Sequence, residues 1–223
     1  MSKRSNFISD SEKIFQFPDV DINFQSLTQL FPKAESDQLK YQNLEETIRR
    51  LNFDFYQILL PKIAAWASDH RNQLKSVEPL ITGKTASVTY TASQIRYILA
   101  NAFFLNTESG FGNINLLNLY ETLHETLAIE RIRCLIEYFR LSSEQTEDEN
   151  QREISIERYS YGDQLPNWNE QNIEIKASKI NIFTDRMEKS LDADGFVDFA
   201  NKRIHIHRLI ASATQEEVLC KIN

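Results

Sequence analysis

The spacing of apolar residues changes once along this chain, and that change limits the fold more than any other feature. From Leu44 to Ser68 the positions Ile48, Leu51, Phe55, Ile58 and Leu59 recur at helical spacing. Pro61 suits the first turn of a second helix carrying Ile63, Ala64 and Trp66. Thr91-Ala92-Ser93-Gln94 is a capping box, in which the hydroxyl accepts a free backbone N–H and the Gln reaches back, so a helix is expected from Ile95 to Phe104. Further helices are expected over 115–123 and 127–141, the second with Ile129, Ile132, Leu135, Ile136 and Phe139 on one face. Up to this point the chain is expected to be all helical. The run from Ser142 to Glu153 is acidic, polar and aperiodic, which reads as a solvated loop. After it the apolar residues alternate: Ile154 and Ile156, Ile173 and Ile175, Ile180 and Ile182, then Phe196 to Phe199. A helical block followed by a strand-rich block defines an α+β chain.

Residues 1–42 belong to neither block. They are polar with scattered aromatics (Phe15, Phe17, Phe24, Phe31) and two prolines, Pro18 and Pro32, and are expected to form an extended arm on a globular body. The division expected is therefore an arm over 1–42, a helical domain over 43–142 and a strand-rich region over 143–223. With 41% hydrophobic residues the chain can bury a real core. The formal charge of −7 argues against bulk attraction to DNA, RNA or another polyanion, so any such ligand must be met by local groups. The one local cluster is Lys202, Arg203 and Arg208, which fits either a solvated strand edge or a phosphate contact. Two cysteines, Cys134 and Cys220, make no disulfide framework, which points to a reducing intracellular compartment. No apolar run reaches the ~18 residues of a membrane span and the N-terminus lacks a signal-type apolar stretch, so a soluble, unsecreted protein is expected.

The chemistry-bearing stretch lies near the end: Val197-Asp198-Phe199-Ala200-Asn201, followed by Gln215-Glu216-Glu217. Taken alone, Asp198 and Asn201 are strand-end polar residues, and Thr214-Gln215-Glu216-Glu217 is a capping box whose acids are favoured by the helix dipole. Together, and in this order, the two runs resemble the catalytic signature of poly(ADP-ribose) glycohydrolases. The likeness extends upstream: Ser93 to Phe104 is similar to the family's helix ending in Leu-Ala-Asn-Ala-Phe-Phe, and Ile132 to Phe139 to its later helix ending in Tyr-Phe. Leu59-Leu60-Pro61-Lys62 and Leu165-Pro166-Asn167-Trp168 resemble further family positions, so the likeness covers roughly residues 45–223. It implies that 43–142 is a helical accessory domain, and that 143–223 holds only the opening strands of a truncated, macrodomain-like mixed sheet.

The resemblance also assigns roles. Cleavage of a glycosidic bond passes through an oxocarbenium-like state, so a carboxylic acid must protonate the departing oxygen while polar groups hold the sugar. Glu217 is the implied acid and Glu216 the group that orients the ribose; two adjacent acids repel, which helps to keep one protonated. Asp198 joins them in the implied catalytic set, Asn201 would contact the terminal ribose, and Glu188 and Gln215 would stand on the adenine side. The implied substrate partners are poly(ADP-ribose) or ADP-ribosylated proteins in the nucleus or cytoplasm, without direct DNA binding or membrane association. A protein partner for the helical domain is also expected.

One part of the pattern is altered. The family has a triple-glycine loop, whose freedom at positive φ lets backbone N–H groups approach a diphosphate. This chain has His205-Ile206-His207, whose alternation from Ile204 to Arg208 reads as a strand with both imidazoles on one face. Two such histidines can share a metal only with a third ligand, and the other two, His70 and His124, lie in helical surroundings; no metal and no cofactor is expected. Gly83-Lys84-Thr85 lacks the preceding glycine pattern of a phosphate-binding loop. The expected product is a glycosidase of this family, with weak or no turnover by these 223 residues alone. The alternative is a catalytically impaired paralogue or a fragment acting through its helical domain.

Overall fold

A computed structural model describes residues 8, 10, 12–17, 21–32, 41–73, 80, 83–107, 116–121 and 125–160, together with the single residues 167, 170, 182 and 184. In chain order the elements are α1 (Phe24–Thr28), α2 (Gln42–Arg49), a π-helical turn (Phe55–Leu59) running into α3 (Leu60–Ala67), a 3-10 turn (His70–Asn72), β1 (Ala86–Thr91), α4 (Ala92–Phe103), α5 (Leu117–Glu121), α6 (Glu125–Ser142), α7 (Glu147–Asn150) and β2 (Glu153–Arg158). This mixture of helices and a two-stranded antiparallel sheet is α+β.

The helical spacing from Leu44 onward is real but broken once. α2 ends at Arg49, and Asp54 restarts the helix by accepting from the Gln57 N–H at 3.0 Å. Pro61 then sits in the first turn of α3, where its missing N–H has no helical partner to lose. α4 opens as its capping box demands: the Gln94 N–H donates to Thr91 Oγ1 at 3.2 Å, and the Thr91 N–H donates to Gln94 Oε1 at 2.9 Å. Its other end closes by a Schellman-type turn, with the Leu105 N–H donating to the Ala102 carbonyl and the Asn106 N–H to that of Asn101. Leu105 pays for this at φ +56, a conformation costing a non-glycine residue about 1–2 kcal/mol, and its side chain packs on the core in return.

The core is aromatic. Phe103 is fully buried at its centre, with ring centroids of Phe104 at 5.4 Å, Phe139 at 6.0 Å, Phe55 at 6.2 Å and Tyr120 at 6.3 Å. α6 packs on α2 and α5, and α3 on α4, so these rings close one layer of helices over another. The residues before α2 take part: Phe15 stacks on Phe104 at 4.3 Å, Phe31 meets Tyr41 edge-on at 4.8 Å, and Leu27 of the short helix α1 is wholly buried.

Three expectations need correction. Residues 86–91, expected within an all-helical region, form β1. Ile154–Ile156, expected to open a later sheet, instead pair back across this strand, with Val88 opposite Ile156 and Tyr90 opposite Ile154. The acidic run is not one loop: α6 continues to a buried Ser142, and Thr146 with Glu149 forms a further capping box that starts α7. The two strands are fixed by each other across the chain, and α7 by its capping box, rather than by the periodicity of their own residues. The strands expected at 173–175 and 196–199 lie outside the described residues; at 180–182 only Ile182 is described, outside any strand and 89% exposed.

Candidate functional site

Glu188, Asp198, Asn201, Gln215, Glu216 and Glu217 all lie outside the described residues, as do Lys202, Arg203, His205, His207, Arg208 and Cys220. The described geometry therefore concerns the helical part and the route by which the chain leaves it.

Asn101, the polar residue of Leu99-Ala-Asn-Ala-Phe-Phe104, is a structural hub. Its Nδ2 donates to the Ala67 carbonyl at 3.1 Å and the Tyr97 carbonyl at 3.0 Å, while its Oδ1 accepts from Asn106 Nδ2 at 2.8 Å. It thus satisfies a free carbonyl at the end of α3 and ties α4 to it. Asn106 Nδ2 also reaches the Asp10 carbonyl at 2.9 Å, fastening the N-terminal residues to the same hub. Tyr120 donates its buried hydroxyl to the Phe103 carbonyl at 2.9 Å, and burial pushes that phenol well up from its ordinary pKa.

A depression of about 790 Å³ runs between the π-turn and α6, with Phe53, Ile58 and Lys62 on one side and Arg133, Glu137 and Arg140 on the other. Its charges are largely internal. Arg140 donates twice to Glu137, at 2.7 and 2.9 Å, and once to Glu144 at 2.9 Å, which lowers the Glu137 pKa. These partners are solvent-exposed, so they add little stability, and the balance of signs makes this a poor cradle for a polyanion.

Two buried groups escaped the sequence reading. Arg96 is only 4% exposed, and its Nε has no hydrogen-bond partner. The signal was present, because Arg96 falls on the same stripe as Ala92, Ala100 and Phe103, where a charge is out of place. Glu121 also keeps one buried, unpartnered oxygen, and desolvation raises its pKa. His70 is exposed in its 3-10 turn, and among the described residues no cluster of His, Cys, Asp or Glu could hold a metal. Gly83, at φ +82, turns the chain into β1, and Thr85 exchanges hydrogen bonds with the backbone of Ser160. No helix among the described residues is long and apolar enough to cross a membrane.

The described part is a helical layer centred on Phe103 and joined to a two-stranded ribbon. Residues 49–158 match the family model for the helical domain of poly (ADP-ribose) glycohydrolase (PARG), so this part of the chain is similar to that domain. The match ends on Arg158, the last residue of β2, where the described ribbon also ends. A comparison with curated proteins finds no match.

Proposed function

We propose that this protein hydrolyses the ribose–ribose bonds of poly(ADP-ribose), with its helical domain supporting a catalytic region carried by the residues after β2. The observation that carries this reading is positional: the family's helical domain over 49–158 is followed in the same chain by Asp198-Phe199-Ala200-Asn201 and Gln215-Glu216-Glu217. In the proposed reaction Glu217 protonates the departing ribose oxygen, Glu216 orients the ribose, and water completes the hydrolysis. Asp198 belongs to the same catalytic set, Asn201 holds the terminal ribose, and Glu188 and Gln215 face the adenine. The reaction needs no metal or cofactor, and the partners are poly(ADP-ribose) or ADP-ribosylated proteins in the nucleus or cytoplasm.

His205-Ile206-His207 favours a second reading, because side chains stand where the family has glycine. In it, the protein is a catalytically impaired relative whose helical domain serves as an interaction module. Incubating the full chain with poly(ADP-ribose) and following release of ADP-ribose separates the two. Turnover that disappears in Glu217→Gln supports hydrolysis; release no faster than buffer from a folded chain removes it.

A further inference from the structure

We propose that Arg96 is a latch that holds residues 145–158 against the helical core and is built to open. Its Nη2 donates to Gln145 Oε1 at 3.1 Å, in the turn after α6, and to Asn150 Oδ1 at 2.5 Å, at the end of α7. The guanidinium lies 4.9 Å from the ring centroid of Trp66 on α3. One side chain on α4 therefore gathers α3, α7 and the turn between α6 and α7.

The composition of this site separates a latch from a permanent fastening. Both oxygen acceptors are neutral amides, and among the described residues no carboxylate pairs with Arg96. The nearby acids are engaged elsewhere: Glu149 accepts from the Thr146 backbone and hydroxyl, and Glu147 accepts from Asn150 Nδ2 and Gln151 Nε2. A buried guanidinium without a counter-ion gives up hydration that two amides and a ring only partly replace, and its Nε is not replaced at all. Moving α7 away returns the charge to water, which offsets part of what the two hydrogen bonds and the ring contact contribute when the latch is closed.

Besides Arg96, the segment is held by the pairing of β2 with β1 and by the Ala92 N–H donating to the Arg152 carbonyl at 2.9 Å. α7 is four residues long with no buried residue, and β2 pairs only with β1 among the described strands, with Ile156 still 48% exposed. Two strands alone are marginal in water. Residues 161–223 follow β2 in the sequence, so the latch acts on the segment from which they continue. This inference rests on the described geometry and not on the hydrolase reading.

Hydrogen exchange by mass spectrometry on the full chain tests it, comparing peptides over 145–158 with peptides from α6 as the internal standard. Arg96→Met, which removes both hydrogen bonds of the guanidinium, is expected to speed exchange over 145–158 by at least about tenfold and to leave the middle of α6 unchanged. Gln145→Glu, which supplies the missing carboxylate, is expected to slow exchange over 145–158 by a similar factor, which a merely structural role for Arg96 does not predict. Unchanged exchange in Arg96→Met, or unchanged or faster exchange in Gln145→Glu, overturns the latch. If Arg96→Met unfolds throughout, Asn150→Ala replaces it: faster exchange confined to 145–158 supports the latch, and exchange like that of the unmodified chain contradicts it.

Discussion

The helical layer and the β1–β2 ribbon share one chain and one family match, yet they are held by different physics. Around Phe103 the rings of Phe55, Phe104, Tyr120 and Phe139 are all removed from water, and the Tyr120 hydroxyl among them is satisfied by the Phe103 carbonyl. The ribbon has one face of Val88, Tyr90, Ile154 and Ile156 and another of Thr, Ser and Glu, and none of its residues is fully buried. Burying an aromatic or aliphatic side chain contributes about 1.5–3 kcal/mol, whereas a cross-strand pair contributes about 0.2–1 kcal/mol. The helical layer therefore sets the stability of the unit, and the ribbon, with α7, is the part that can open without unfolding the rest.

The contrast breaks most completely at its centre. Phe103→Ala removes the ring against which four others pack and is expected to cost about 3–5 kcal/mol in urea unfolding, enough to threaten the fold. A loss below about 1 kcal/mol would mean that the helical layer does not carry the stability assigned to it. The junction between the regions is weaker. Thr91 ends β1 and caps α4 at once, so Thr91→Ala is expected to cost about 1 kcal/mol, the usual value of an N-cap, while Thr91→Ser restores most of it. Thermal unfolding of the three proteins side by side checks the order.

The smallest effect sharpens the picture of the core's edge. Burial raises the Glu121 pKa from its ordinary 4.5, so the folded protein holds a proton that the unfolded chain releases. That contribution is fully present below pH 4.5 and is lost as pH rises through the raised value. Glu121→Gln is accordingly expected to flatten the fall in stability above that pH and to be slightly more stable at pH 7. Unfolding curves at acidic and neutral pH read the difference directly; a variant less stable at pH 7 would show that the ionised carboxylate is favourably held.

The legible parts of the fold were those whose signals are local. The box Thr91–Gln94 predicted α4, and the stripe from Ile129 to Phe139 predicted α6 to within a few residues at each end. β1 was overlooked although Val88 and Tyr90 alternate with threonines, because its partner follows more than a helix-pair later in the chain and a lone alternating run does not announce one. α7 was hidden in an acidic stretch whose only structural mark is Thr146 standing three residues before Glu149. Arg96 was hidden by the opposite effect: its stripe reads as core, and only the amides of Gln145 and Asn150, brought in by tertiary contact, explain a charge there. The candidate site lies outside the described residues, and the roles proposed for Asp198, Asn201 and Glu217 rest on the order of two short runs in the sequence.

The central claim is that a pocket for ADP-ribose is carried by the residues that follow the family's helical domain. Calorimetric titration of free ADP-ribose into the full chain tests it most directly, beside Asn201→Ala and Glu217→Gln. The account predicts micromolar binding, weakened in Asn201→Ala and retained in Glu217→Gln, whose amide still fits the sugar but cannot donate the acid's proton. Absence of binding by a chain whose helical layer is folded would contradict it.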